Sequence, residues 1–252
     1  MGYEEKGLKV VGTRPVRPDG LDKVTGRANY AADHVMPGML IGKFLRSPHG
    51  HAKIKSINID KAIALPGVKA VVTGNDIRDI PEEGASAGEG AVYLPDLAAN
   101  LLAKDKALYD GHPIAAVAAI SGKIADKALQ LIKVDYEVLK PVMTVEDAMK
   151  SRAPILHPGM KTKGVDPAPK KSSNVAAITV MAKGDLEKAF AEADVIVEHT
   201  YKTKPIHQGY IEPHACVASM GEDGQSTVWC SSQGHFVVRE LCAKILGLEL
   251  GT

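Results

Sequence analysis

The stretch IAAVAAISGKIADKALQLIKVDY, residues 114–136, decides how this chain folds. Its first seven residues are apolar without a break, which is the length and composition of a strand covered on both faces. Ser121 then stands where a helix N-cap hydroxyl belongs, and a helical pattern runs over residues 123–131. Residues 132–136 return as a second strand. Strand, helix and strand in so short a span predict a compact α/β layer.

Working outward, residues 40–45 and 54–59 are short β-favouring runs separated by the turn-rich Ser47-Pro48-His49-Gly50-His51. Asp60 is placed to cap a short helix to residue 65, Pro66-Gly67 turns the chain, and residues 68–73 make a further strand. The glycine-rich residues 84–90 have no feeding strand, no following helix and no Lys-Ser/Thr, so a phosphate loop is excluded and a flexible surface loop is expected. Gly12, Pro15, Pro18 and Gly20 mark residues 1–19 as an extended arm. Beyond Pro141 a short helix to residue 149 is expected. The prolines 154, 158, 167 and 169 then make 151–174 a linker.

A second unit begins near residue 175. Residues 175–181 and 195–203 read as strands, with a helix from Gly184-Asp185 to residue 193 between them. Gly221-Glu222-Asp223-Gly224 joins strands 215–220 and 227–231 as a hairpin. Phe236, Val237, Leu241, Ile245 and Leu246 have helical spacing, and Gly247 ends that helix.

Composition sets the outer limits. With 252 residues, 45% of them hydrophobic, the chain has enough apolar material for one large or two modest cores. Aromatics are only 4%, so Ala, Val, Ile and Leu must fill them. A net charge of +1 offers no broad field for nucleic acid or an anionic membrane. No apolar run approaches the roughly 20 residues needed to span a bilayer. The first residues lack the layout of a secretory signal, and a cytoplasmic setting is expected. Cys216, Cys230 and Cys242 show no CxxC spacing, so they read as reduced core thiols rather than zinc or iron–sulfur ligands, with one disulfide as the alternative.

Among nine histidines, His49 and His51 sit on a turn that points them apart, and His207, His214 and His235 lack the i, i+4 spacing of a zinc pair. No metal site built from side chains is expected. No serine lies in a Gly-x-Ser-x-Gly elbow, and the paired carboxylates fall in turns or helix starts, where they are solvated. What remains is the run from Ile206 to Cys216, followed by Trp229-Cys230-Ser231-Ser232-Gln233-Gly234-His235-Phe236. Gln208 and Gln233 are neutral amides near strand ends. Each is able to donate to an oxygen of a bound group, or equally to satisfy backbone groups nearby.

Several phrases together resemble the xanthine dehydrogenase/aldehyde oxidase family of molybdenum hydroxylases. They are Asp22-Lys23-Val24-Thr25-Gly26-Arg27-Ala28-Asn29-Tyr30, Leu45-Arg46-Ser47-Pro48-His49, Leu65-Pro66-Gly67-Val68 and Asp110-Gly111-His112-Pro113-Ile114-Ala115-Ala116-Val117. They occur in the family's order. The resemblance implies the N-terminal part of the molybdopterin-binding large subunit: an α/β (α+β) hammerhead domain over residues 20–150, then the first, incomplete portion of a molybdopterin-binding domain over 175–252.

On this resemblance Gln233 matches the family's glutamine that hydrogen-bonds an oxo ligand of molybdenum, and Gln208 and Glu212 match its Gln-x-x-x-Glu run. Gln208, Gly234 and Phe236 are then cofactor-binding expectations beside Gln233. The cofactor implied is molybdopterin, with the cytosine dinucleotide form one option. Iron–sulfur clusters and FAD are expected on partner subunits. The family's Gly-Gly-Phe-Gly loop and its glutamate base are not found here, so a second molybdopterin-binding chain is the expected partner and the lone chain is not expected to turn over substrate. The implied activity is hydroxylation of an aldehyde, N-heterocycle or related carbon centre with oxygen from water. The alternatives are a subunit of a 4-hydroxybenzoyl-CoA reductase-type enzyme and a non-catalytic split-subunit assembly module.

Overall fold

Residues 113–119 form the strand around which the first unit is built, in a computed structural model that describes residues 9–80, 84–87 and 90–251. In chain order the first unit contains α1 (Gly20–Val24), β1 (Ile41–Arg46), β2 (Ala52–Asn58), α2 (Asp60–Ile63), β3 (Val68–Thr73), β4 (Gly84–Ala87) and β5 (Gly90–Tyr93). It continues with α3 (Leu94–Leu101), β6 (Lys106–Ala107), β7 (Pro113–Ala119), α4 (Gly122–Leu131), β8 (Lys133–Val138) and α5 (Val145–Ala148). The second unit contains α6 (Leu186–Ala191), β9 (Cys216–Met220), β10 (Ser226–Cys230) and α7 (His235–Leu246).

The unbroken apolar run puts β7 at the centre of a three-stranded sheet, β1-β7-β3. Val117 stands between Lys43 and Val71 in the two antiparallel registers. A second sheet has the order β6-β2-β8. β7 and β8 therefore belong to different sheets, and α4 carries the chain from one to the other instead of crossing over within a parallel sheet. Ser121 caps α4 as its position promised, its hydroxyl accepting from the Ile124 N–H at 3.4 Å.

Small residues set the packing distance. Ala125 and Ala128 of α4 are fully buried against Ala62, Ala115, Val117 and Ala119, so helix and sheet approach without an aromatic between them. Gly67 takes the same economy further. Its φ is +91°, and a Cβ there would meet the Ile124 Cδ1 at 2.7 Å. Its carbonyl accepts from the Ile120 N–H at 2.9 Å, locking the turn before β3 against the end of β7.

His112, one residue ahead of β7, is fully buried and stacks on Tyr109 at 4.4 Å. Its Nδ1 accepts from the Leu108 N–H at 3.2 Å, which fixes the neutral tautomer with its proton on Nε2. Burial pushes its pKa below 6.5, and the Asn100 backbone opposes this only in part. The unfolded chain therefore takes up a proton at this histidine that the folded chain resists. Stability is full above pH 6.5 and falls as the pH drops below it. Urea unfolding of the chain at pH 7.5 and 5.5 is expected to show a lower midpoint at pH 5.5; a midpoint that rises on acidification contradicts this account of His112.

Several expectations are corrected. Residues 84–87 and 90–93 pair as an antiparallel hairpin, where a flexible loop was expected; residues 88 and 89 lie outside the described set, as do residues 1–8 of the N-terminal arm. α3 and β6 fall where no element was expected. The strands expected over 175–181 and 195–203 do not form. The first keeps only an isolated bridge from Lys163 to Ala177. Alternation defines which face a strand would bury, but a strand persists only where a neighbour completes its ladder. Beyond that bridge, no strand among the described residues pairs with these segments, and Met181 and Val197 stay 93% and 74% exposed.

α6 is shorter than the helix expected to residue 193, although Asp185 caps it, accepting from the Lys188 N–H at 3.0 Å. The proline-rich segment between the units is tied down by Asn174. Its amide donates to the carbonyls of Ala148 and Pro154, and its Oδ1 accepts from the Leu156 N–H.

Candidate functional site

Gln233 lies in the short connection between β10 and α7. The hairpin that leads to it closes at Gly221–Gln225: the Gly221 N–H donates to the Gln225 carbonyl at 2.8 Å, and the Asp223 carboxylate accepts from the Gln225 N–H at 3.0 Å. Gly224, at φ +84°, supplies the left-handed step that this turn requires. The register then pairs Met220 with Ser226 and runs to Cys216 opposite Cys230. Gly234 is the N-cap of α7, and the first turn closes with the Val238 N–H on the Gly234 carbonyl at 3.0 Å. Gly247, at φ +73°, ends the helix in the left-handed conformation, as the sequence led one to expect.

The Gln233 side chain is exposed, and among the described residues it makes no hydrogen bond. Its amide is free to donate to a bound group. Gly234 adds no side chain between it and the helix start, and Phe236 projects from the first turn, 72% exposed. Gln233 itself immediately precedes the N-cap of this twelve-residue helix, at the positive end of its dipole. Gln208 is also exposed and without a hydrogen bond among the described residues, on irregular backbone beside Gly209.

A residue overlooked in the sequence joins these two segments. The Ser231 Oγ accepts from the Ala215 N–H at 3.0 Å and shares its own proton between the carbonyls of Pro213 and Ala215. It thereby ties the chain just downstream of the Gln-x-x-x-Glu run to the residue two before Gln233. A serine at the first position past a strand is a recognisable end-of-ladder donor. Its acceptors, however, lie more than a dozen residues away and follow only from the hairpin register.

Glu212 points elsewhere. Its carboxylate accepts from the Ala31 N–H at 3.5 Å, and His34 lies on Trp229 at 5.3 Å. These contacts dock the segment before β1 on the hairpin, so Glu212 holds the fold. The histidines of this unit are engaged with rings. Tyr210 has His207 at 4.9 Å and His214 at 4.7 Å, the latter stacked, and His235 tilts over Phe236 at 4.2 Å. Between β10 and α7 lies a cleft of about 320 Å³ lined by Val228, Cys230, Phe236, Arg239, Cys242 and Leu246. Sequence patterns do not mark this cleft, because its lining is shared between β10 and α7. Burial pushes the Cys242 thiol up within it.

Residues 25–140 match a family model described as the aldehyde oxidase and xanthine dehydrogenase a/b hammerhead domain, and residues 168–251 match one described as a molybdopterin cofactor-binding domain. The carbon monoxide dehydrogenase large chain of Afipia carboxidovorans is 34% identical over 247 residues, spanning 96% of this chain and 29% of that relative. The nicotinate dehydrogenase large molybdopterin subunit of Eubacterium barkeri is 32% identical, spanning 96% of this chain and 52% of that one. The crystal structure of quinoline 2-oxidoreductase from Pseudomonas putida 86 superposes with a TM-score of 0.75 at 30% identity, covering 95% of this chain and 29% of that chain. The chain thus spans between about three tenths and a half of the length of these relatives.

Proposed function

This chain belongs to the xanthine dehydrogenase/aldehyde oxidase family, and on that premise we propose that it supplies the hammerhead domain and one wall of the molybdopterin site of a molybdenum-dependent hydroxylase. The observation that carries the reading is the free, exposed amide of Gln233 at the β10–α7 junction, inside the segment matched by the cofactor-binding family.

The donor set suits the cofactor. Gln233 is a neutral amide, able to donate to an oxygen at the metal end of the group without adding charge that would shift the metal's potential. Gly234 leaves the backbone open beside it, Phe236 offers an apolar face, and Gln208 brings a second uncharged donor from the tethered segment. When bound, the cofactor supplies the two-electron oxidation of a carbon centre with oxygen drawn from water. This chain's own part is to hold and orient it: Ser231 fixes the base of the glutamine segment, and Glu212 fixes that segment's neighbour to the first unit.

The relatives cover far more chain than this one, so the base, the substrate-lining loops and the electron-transfer centres are assigned to parts of the enzyme outside these 252 residues. We assign an aldehyde, an N-heterocycle or a related carbon centre as substrate, a second molybdopterin-binding segment as the other wall, and iron–sulfur and FAD subunits as electron acceptors. The setting proposed is the cytoplasm.

The test is native mass spectrometry, with metal and pterin analysis, on whatever is recovered from cells through this chain. Molybdenum and pterin recovered together with further polypeptide are expected. Recovery of the lone chain, free of both, overturns the reading.

A further inference from the structure

The second unit holds all three cysteines of the chain, and none is used by the function proposed above. Their placement is specific. The β9–β10 register sets Cys216 directly opposite Cys230. The Ser231 N–H donates to the Ala215 carbonyl at 3.2 Å and the Gly221 N–H to the Gln225 carbonyl at 2.8 Å, so the hydrogen-bonded pairs of this ladder are 215 with 231 and 221 with 225. Alternation makes Cys216 and Cys230 a non-hydrogen-bonded pair. At such a pair the Cα atoms lie about 4.5 Å apart and both side chains leave the same face. That separation falls within the roughly 4.4–6.8 Å that a disulfide spans without moving the backbone. Cys242 lines the same cleft from α7, which makes Cys230 with Cys242 the rival pairing.

We propose that Cys216 and Cys230 are a redox pair, closed to a cross-strand disulfide by hydrogen peroxide and reopened by a dithiol. Cys216 is exposed and meets the oxidant, while Cys230 is half-buried and resolves it. The Cys216 thiolate attacks one peroxide oxygen. The O–O bond breaks, the departing hydroxide takes a proton and leaves as water, and Cys216 becomes a sulfenic acid. The Cys230 thiolate then attacks that sulfur, forming the S–S bond and breaking S–O, and the second oxygen leaves as water. Two thiol protons and two electrons pass to one peroxide. The bond forms one residue before Ser231 and three before Gln233, so closure pins the strand end from which the glutamine segment departs. The value of that pinning for catalysis rests on the function proposed for Gln233; the pairing itself does not.

The full chain, treated with hydrogen peroxide and then with a thiol-alkylating reagent, is read by intact mass and peptide mapping. The expected product has lost two hydrogen atoms, carries one alkyl group instead of three, and yields a peptide joining Cys216 to Cys230. Dithiothreitol returns three alkylated thiols. Cys242→Ser leaves the cross-link in place, and Cys216→Ser abolishes it. A peptide joining Cys230 to Cys242, a disulfide between two molecules, or sulfinic acid without a cross-link overturns the proposal. Because the readout is mass, its failure is distinct from failure of the cofactor reading, which metal and pterin content decides.

Discussion

Gln233→Ala in the assembled enzyme is expected to lower kcat by about 10–100-fold, the range found when a group that orients a metal's immediate ligands is removed. The loss belongs in kcat, because the amide faces the cofactor in this account and makes no contact assigned to substrate. Stability should hardly change. The side chain is exposed and makes no hydrogen bond among the described residues, so its truncation falls within roughly 0.5 kcal/mol. Steady-state kinetics of the variant, with metal content matched to the parent, make the comparison. Unchanged kcat at equal metal loading removes Gln233 from the site.

Ile114→Ala carries the largest expected cost to the fold, about 2–5 kcal/mol. Ile114 is fully buried and packs with Ala103 and Ala107 against Ile54, Ile57 and Val134. It leaves the central strand of one sheet and fills the space beside the other, so its loss opens a cavity that neither sheet can close alone. Denaturant unfolding followed by far-ultraviolet circular dichroism measures it, with Ile211→Ala as control. Ile211 is 99% exposed, and its truncation should cost no more than about 0.5 kcal/mol. Equal midpoints for the two variants would mean that β7 does not organise the first unit.

The parts of the fold that were legible in the sequence are those whose instructions are local. Residues 114–136 carry strand length, cap and helical spacing in one string, and all three appear. The turn at Gly221–Gly224 and the stop at Gly247 are legible for the same reason, since each depends on the backbone freedom of one residue. Nothing is read from the sequence over α3, although its Pro95 does not forbid a helix. It occupies the second position of that helix, where a missing N–H costs nothing. The strands expected in residues 175–203 show the opposite error. Alternation there is genuine, but a ladder partner is not a property of the segment.

The candidate site divides along the same line. Gln233 was found through its motif, and its position between a strand end and a helix start followed from flanking patterns. Ser231 and the Cys216–Cys230 pairing were not found, because both exist only once two strands are in register. Glu212 belongs to the same recognised run as Gln208, yet its carboxylate is committed to the Ala31 N–H. Motif membership did not separate the residue that holds the fold from the one left free.

The central claim is that the Gln233 amide belongs to the molybdopterin site. An experimental structure of the native assembly with its cofactor bound tests this most directly. The account predicts the Gln233 amide in hydrogen-bonding contact with the metal end of the cofactor, with Ser231 still bridging to Pro213 and Ala215. Gln233 turned to solvent, with another residue of the assembly making that contact, would contradict it.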